Sequence, residues 1–290
     1  MIFSLRKDEG KWPFPHAWSC METSSVMNSV LRKMVCGKKT VSSKSTIQAL
    51  QDRGLLDELG NLTETGRVYA LSKCSLRIQC ELLGLPLSQI TLLREGQRPE
   101  FDVLADYCKR GWQGCFTEGG IIFVLLYCIW YDLFCTHVMQ EKDCDRETAE
   151  ASFQHNVFGN FLGRSPESIN KLLAEIDSVD QDTVRHNFLK VQSKNTDTWF
   201  PYGFYGITET LVMACFQMLG RKSIKAIAKV YLLDDYFSKG WPDLLLVKGN
   251  QLKHIEVKTL DKLHISQLIV LPVIIKAGEL DVTIVKVKRV

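Results

Sequence analysis

Two acids and a lysine carry the clearest chemical signal in this chain. They lie in the stretch Trp241-Pro242-Asp243-Leu244-Leu245-Leu246-Val247-Lys248-Gly249-Asn250-Gln251-Leu252-Lys253-His254-Ile255-Glu256-Val257-Lys258. Two short apolar runs flank Gly249-Asn250, the pattern of two strands around a tight turn. Side chains alternate faces along a strand, so Glu256 and Lys258 share one face while Ile255 and Val257 take the other. If Gly249-Asn250 is a two-residue turn, Asp243 lies across from Glu256, with Cβ atoms about 4.5–5.5 Å apart. A longer turn would shift that register. Like charges placed opposite each other destabilise a sheet, and a divalent cation held between them offsets the repulsion. Taken singly, Asp243 reads as a capped turn after Pro242, and Glu256 and Lys258 as an exposed strand face.

The spacing resembles the PD-(D/E)xK nuclease signature, and Asp243 to Val290 resembles the VRR-NUC branch of that superfamily. The Glu256-Val257-Lys258 triplet leads into Asp261-Lys262-Leu263-His264-Ile265-Ser266-Gln267, then a helix and a last strand near Val282–Val287. Upstream, Gly114-Cys115-Phe116-Thr117-Glu118-Gly119-Gly120 precedes an apolar helix ending in Trp130-Tyr131-Asp132-Leu133-Phe134. This block resembles the first acidic motif of the Fanconi-associated nuclease family. The resemblance runs from Cys108 to Val290, specific at the two motifs and thin between them.

The resemblance implies a metal-dependent DNA nuclease of flapped, forked or branched DNA, serving DNA repair, with Mg2+ or Mn2+ as cofactor. Hydrolysing a phosphodiester needs an attacking water, a stabilised pentavalent phosphorus and a leaving group that accepts charge. By resemblance the metal ligands are Glu118, Asp243, Glu256 and the backbone carbonyl of Val257. Lys258 would orient or help deprotonate the water, and Gln267 would open the helix face behind the metal. Glu209 competes with Glu118 as the first acid, although a helix-opening acid also complements the helix dipole. His254 and His264 have no partners at metal-ligand spacing. Two departures concern the family's 5′-phosphate pocket. Ser266 stands where the family has a basic residue, and Asp234-Asp235-Tyr236-Phe237 lies where it carries an Arg. Cleavage is therefore expected to depend only weakly on a terminal 5′ phosphate. A nuclease fold without activity, serving as a DNA-binding or scaffold protein, and an RNA nuclease are the rival readings.

These residues need a scaffold, and the pattern predicts a mixed α+β chain. A helical, winged-helix-like DNA-docking domain is expected over residues 1–94. A helical region plus nuclease core follows over 95–290, with its central hairpin and last helix and strand at 240–290. Trp12, Pro13, Pro15 and Trp18 crowd an irregular start. Val26, Val30, Met34 and Val35 repeat at helical spacing. Ser42-Ser43 caps a second helix through Ile47, Leu50 and Gln51, which Gly54 ends. Leu55 to Leu62 reads as a hairpin around Gly60-Asn61, and a third helix starts at Thr63-Glu64-Thr65-Gly66. Leu76 to Leu93 and Phe101 to Gly111 read as helices around a Glu95–Pro99 linker. Further helices are predicted over Thr208–Leu219 and Lys222–Tyr231. DNA contact would fall on Lys38, Lys39, Lys44 and Gln48, with a second phosphate track at Arg221, Lys222 and Lys225. The acids Asp57 and Glu58 at the hairpin tip would repel phosphate.

The chain has 290 residues, 46% of them hydrophobic, enough for two modest domains. A net charge of +3 is too small to reveal a nucleic-acid partner, but its distribution is uneven. Between Arg32 and Arg53 six bases face one acid, and between Glu141 and Asp182 ten acids face four bases. Ten cysteines are scattered without a C-x-x-C pair, against a zinc ribbon. No signal-peptide pattern opens the chain. Reduced, buried thiols in a reducing compartment, the cytoplasm (nucleoid) or nucleus, are expected. The apolar run Gly119–Tyr131 is shorter than the about 20 residues of a membrane span, so a buried core helix and no membrane partner are expected. The pattern is silent on oligomeric state.

Overall fold

The computed structural model describes residues 22–92, 98–152, 165–193, 206–233, 237 and 239–289. The Trp12–Trp18 cluster, most of the linker and Asp234-Asp235-Tyr236 lie outside them. Helix starts follow local capping. Ser24, Ser43, Thr63 and Ser75 each accept a first-turn amide, at the heads of α1 (Ser25–Val35), α2 (Lys44–Gln51), α3 (Glu64–Ser72) and α4 (Leu76–Leu83). Such caps satisfy N–H groups that have no partner within the helix.

Two expectations fail in this region. The hairpin at Leu55–Leu62 is a single bridge, Leu56 to Leu62. The Asp57 carboxylate accepts the Asn61 N–H at 2.8 Å and the Asp57 N–H donates to the Asn61 carbonyl at 2.9 Å, so the segment closes as a tight turn. The helix expected over Leu76–Leu93 stops at Gly84, whose φ of 68° is left-handed. Beyond Pro86 the chain becomes strand β1 (Leu87–Leu92), paired parallel with β5 (Val282–Arg289).

One mixed sheet organises the molecule, in the order β1-β5-β4-β3-β2, with β2 (Gln113–Phe116), β3 (Leu244–Lys248) and β4 (Gln251–Lys258). β2, β3 and β4 are antiparallel, while β4, β5 and β1 run parallel. Lys248 pairs with Gln251, so Gly249-Asn250 is a two-residue turn. The expected boundary at 94/95 cuts across this sheet, because β1 is one of its edge strands. β2 was not anticipated, since it is only four residues long.

The period-two alternation sorts the two faces. Leu244, Leu246, Ile255, Val257, Val285 and Val287 pack with Val103, Leu104 and Tyr107 of α5 (Pro99–Lys109). Leu245, Val282 and Ile284 join the main core with α6 (Gly120–Lys142), α10 (Glu209–Leu233) and α11 (Ile265–Gly278). α6 runs well past Phe134. It is the one helix among the described residues long and apolar enough to cross a membrane, yet 78% of its most apolar window is buried here. An all-round apolar helix of this kind forms the centre of a core. α7 (Arg146–Ala151), α8 (Pro166–Ser178) and α9 (Gln181–Ser193) pack around it, and Trp130 Nε1 donates to the Leu172 carbonyl at 2.9 Å. α10 kinks at Gly220. The nine described cysteines are all free.

Candidate active site

The hairpin register carries the site. Leu244 faces Ile255, so one step further along the ladder Asp243 comes opposite Glu256. Asp243 Oδ2 accepts the Val257 N–H at 2.7 Å, which fixes the carboxylate against β4. Glu256 is fully buried. Its Oε1 accepts from Lys258 Nζ at 2.6 Å and from Gln267 Nε2 at 2.5 Å. Its Oε2 is buried with no partner. Gln267 sits in the first turn of α11, and its Oε1 accepts the His264 N–H at 3.0 Å, so the amide is held at both ends. Lys258 is 4% exposed, and Asp261 Oδ2 lies 3.5 Å from its Nζ.

Burial dominates the electrostatics. It pushes the Asp243 carboxyl up to about 8, with the Glu256 charge adding to the effect and the Val257 N–H and Lys258 opposing it. Glu256 is also raised by burial, against the pull of Lys258. For Lys258 burial disfavours the charge, but Glu256 outweighs it and the ammonium is held above its ordinary range. Two facing carboxyls that burial pushes upward, one with an orphaned oxygen, suit a divalent cation, which supplies what burial removed.

Glu118 arrives by a different route. The Thr117 and Glu118 N–H groups both point at the Asp243 carbonyl, at 2.8 and 3.3 Å. Glu118 and Gly119 are left-handed, at φ 45° and 85°, and Gly120 N closes the turn on Thr117 O at 2.7 Å. A Cβ on Gly119 would stand 2.5 Å from Cγ of Trp241. The glycine thus admits the Trp241 ring. The half-buried Glu118 carboxyl is raised by burial and by Glu100, with Arg98 opposing. Among the described residues no three acids, histidines or cysteines form a ready-made metal cage. The pair Asp243 and Glu256 is therefore the site's centre. A cation such as Mg2+ binds through one or two carboxylates and keeps several waters.

The remaining expected residues are dispersed. Glu209 pairs with Arg185 at 2.9 Å and lines a cleft with Lys248 and Gly249, at the opposite end of β3 from Asp243. Lys38, Lys39, Lys44 and Gln48 are exposed around the α1–α2 corner. Gln48 bonds Asp52 at 2.8 Å. The second track is already engaged internally: Arg221 donates to the Val179 carbonyl at 2.5 Å, Lys222 pairs with Glu279 at 3.1 Å, and Lys225 pairs with Asp177. His264 is largely exposed beside Asp261, and His254 is buried with both ring nitrogens unpartnered. Gln79, fully buried in α4, reaches the site's loop by accepting the Leu263 N–H at 2.9 Å. No local pattern in the sequence marks it.

Comparison with known proteins adds the fold. No family model and no curated protein match the chain. A solved structure of paFAN1, bound to DNA with a 2-nucleotide 5′ flap and a gap, aligns at a TM-score of 0.52. The fold is like that of paFAN1. Identity is 15%, and the match covers 91% of this chain and 49% of that one. A second paFAN1 structure, with a 1-nucleotide flap, gives 0.51 and 13% over the same shares. This chain thus spans about half the length of paFAN1. At this identity the likeness extends to the fold alone.

Proposed function

We propose that this chain is a divalent-metal-dependent phosphodiesterase that cuts flapped or branched DNA in DNA repair. In this reading the core is a VRR-NUC-type PD-(D/E)xK core, with α1–α3 as a winged-helix-like docking module. The observation that carries it is the buried Glu256 carboxylate with Oε2 unpartnered, facing Asp243 and flanked by Lys258. The paFAN1-like fold supports it, as does the flap DNA bound in the paFAN1 structures.

Mg2+ or Mn2+, held by Asp243 and Glu256 with the Val257 carbonyl and Glu118 as further ligands, would supply Lewis acidity toward the phosphate and an activated water. The protein's own part is positional. Gln267 holds Glu256 so that Oε2 stays free. Lys258, kept charged, balances developing charge on the phosphate and orients the attacking water. The Val257 N–H keeps Asp243 turned toward Glu256. Lys38, Lys39, Lys44 and Gln48 hold the phosphate backbone at a distance from the chemistry.

The test is a panel of labelled flap, fork, nicked, linear and single-stranded DNA, with RNA alongside, in Mg2+, Mn2+ or EDTA. Cleavage of flapped or forked DNA is expected with metal and none with EDTA. Asp243→Ala and Glu256→Ala are each expected to abolish it in folded protein. Full cleavage in EDTA, or by either variant, overturns the reading. Preference for RNA overturns the substrate class. Matched 5′-phosphate and 5′-hydroxyl ends should differ little, because Ser266 offers no positive charge; a preference above about tenfold would reveal an anchoring pocket elsewhere.

A further inference from the structure

We infer that Gln79 is a positioning residue, through which the N-terminal helices hold the Glu256 carboxylate in place. The inference rests on the metal site proposed above. Gln79 lies in α4, far in sequence from the site, and its side chain is fully buried. Its Oε1 accepts the Leu263 N–H at 2.9 Å, while its Nε2 donates to the Leu71 carbonyl, at the end of α3, at 3.1 Å. The same Nε2 is 3.5 Å from the Leu263 carbonyl. One amide therefore clamps the α3–α4 corner to the backbone just before α11.

The clamp continues into the site without a gap. Leu263 is followed by His264, whose N–H donates to Gln267 Oε1. Gln267 Nε2 then donates to Glu256 Oε1. From α3 to the metal-binding carboxylate there is thus a series of short bonds made by two buried glutamines. A buried side-chain amide is costly unless its polar atoms find partners, and here both ends do. Gln79 is one of few buried polar side chains in the described residues, and its inter-element target is the loop that sets the start of α11. If that loop shifts, Gln267 turns and Glu256 loses the bond that leaves Oε2 free. A group bonded directly to a metal ligand, as Gln267 is to Glu256, typically matters about 10–100-fold in metal affinity, and Gln79 acts through it.

The test compares Gln79→Met, which keeps volume but leaves the Leu263 N–H unpaired, with Val68→Ala. Val68 is a buried α3 residue and serves as a control for general destabilisation. Mn2+ affinity is measured directly, and amide exchange is followed at Leu263 and His264. Gln79→Met should weaken Mn2+ binding about 10–100-fold and speed exchange at Leu263 more than tenfold while the fold persists. Val68→Ala should leave Mn2+ affinity within twofold. Equal losses in the two variants, or unchanged affinity in Gln79→Met, overturn the inference. A wild-type protein that binds no Mn2+ overturns the metal reading instead; the clamp is then judged by exchange alone, and a Leu263 amide still protected in Gln79→Met overturns it.

Discussion

Lys258 is the residue whose two duties separate most cleanly. It neutralises a buried carboxylate at rest and, on our reading, the phosphate during cleavage. Lys258→Ala should cut the single-turnover rate by about 10²–10⁴-fold, the scale of acid–base or electrostatic catalysis, with far less change in DNA affinity. It should also destabilise the metal-free fold, because Glu256 is left buried without its cation. A variant that cleaves at the wild-type rate reduces Lys258 to a charge partner. His254 gives a pH signature of its own. Burial pushes its imidazole down to about 4 from 6.5, so between those values the unfolded chain binds more protons than the folded one. The stability tied to neutral His254 is complete above about pH 6.5 and lost as pH falls through about 4. At pH 5 the loss is about 2 kcal/mol, and His254→Leu should remove that part of the pH 7-to-5 difference in urea unfolding. An equal difference in the two proteins would show that other groups set the acid limb. Asp243, Glu256 and Lys258 were legible in the sequence because a period of two and a two-residue turn convert spacing into position. Gln79 was not, because its partner is a backbone N–H from a distant segment.

At the scale of elements, glycines mark where geometry overrides propensity. Gly84 and Gly119 both sit at positive φ, but a Cβ at Gly84 meets open space while one at Gly119 meets the Trp241 ring. That ring is backed by Phe123, at 5.8 Å between centroids, and by the bond from Trp241 Nε1 to the Phe237 carbonyl. Gly84→Ala should therefore cost about 1–2 kcal/mol, the price of a left-handed alanine. Gly119→Ala should cost about 1–3 kcal/mol more from overpacking. Chemical denaturation of the two variants measures the difference, and equal costs would mean that the ring retreats freely. Capped helix starts at Ser43 and Thr63 were readable from local chemistry. β1 and β2 were not: the first is an edge strand whose hydrogen-bonding partner comes at the far end of the fold, and the second has only four residues. At the expected wing the structure has one bridge, Leu56 to Leu62, with the Asn61 N–H donating to the Asp57 carboxylate.

At the scale of the molecule, charge rather than shape separates the two expected DNA tracks. Lys38, Lys39 and Lys44 are exposed, and among the described residues no acid pairs with them, whereas Lys222 and Lys225 are paired with acids. Each phosphate contact adds about 0.9 to the slope of log affinity against log salt on duplex DNA. Removing the three N-terminal lysines together should flatten that slope by about 2–3, while removing Lys222 and Lys225 should change it less. An unchanged slope in the triple variant would place the docking surface elsewhere. The sheet order has one more consequence. β5 is synthesised after the other four strands yet inserts between β1 and β4. Until it leaves the ribosome, β4 lacks a neighbour and the hairpin bearing Asp243 and Glu256 hangs on an unfinished edge. A nascent chain therefore carries both carboxylates before the sheet that holds their hairpin is complete.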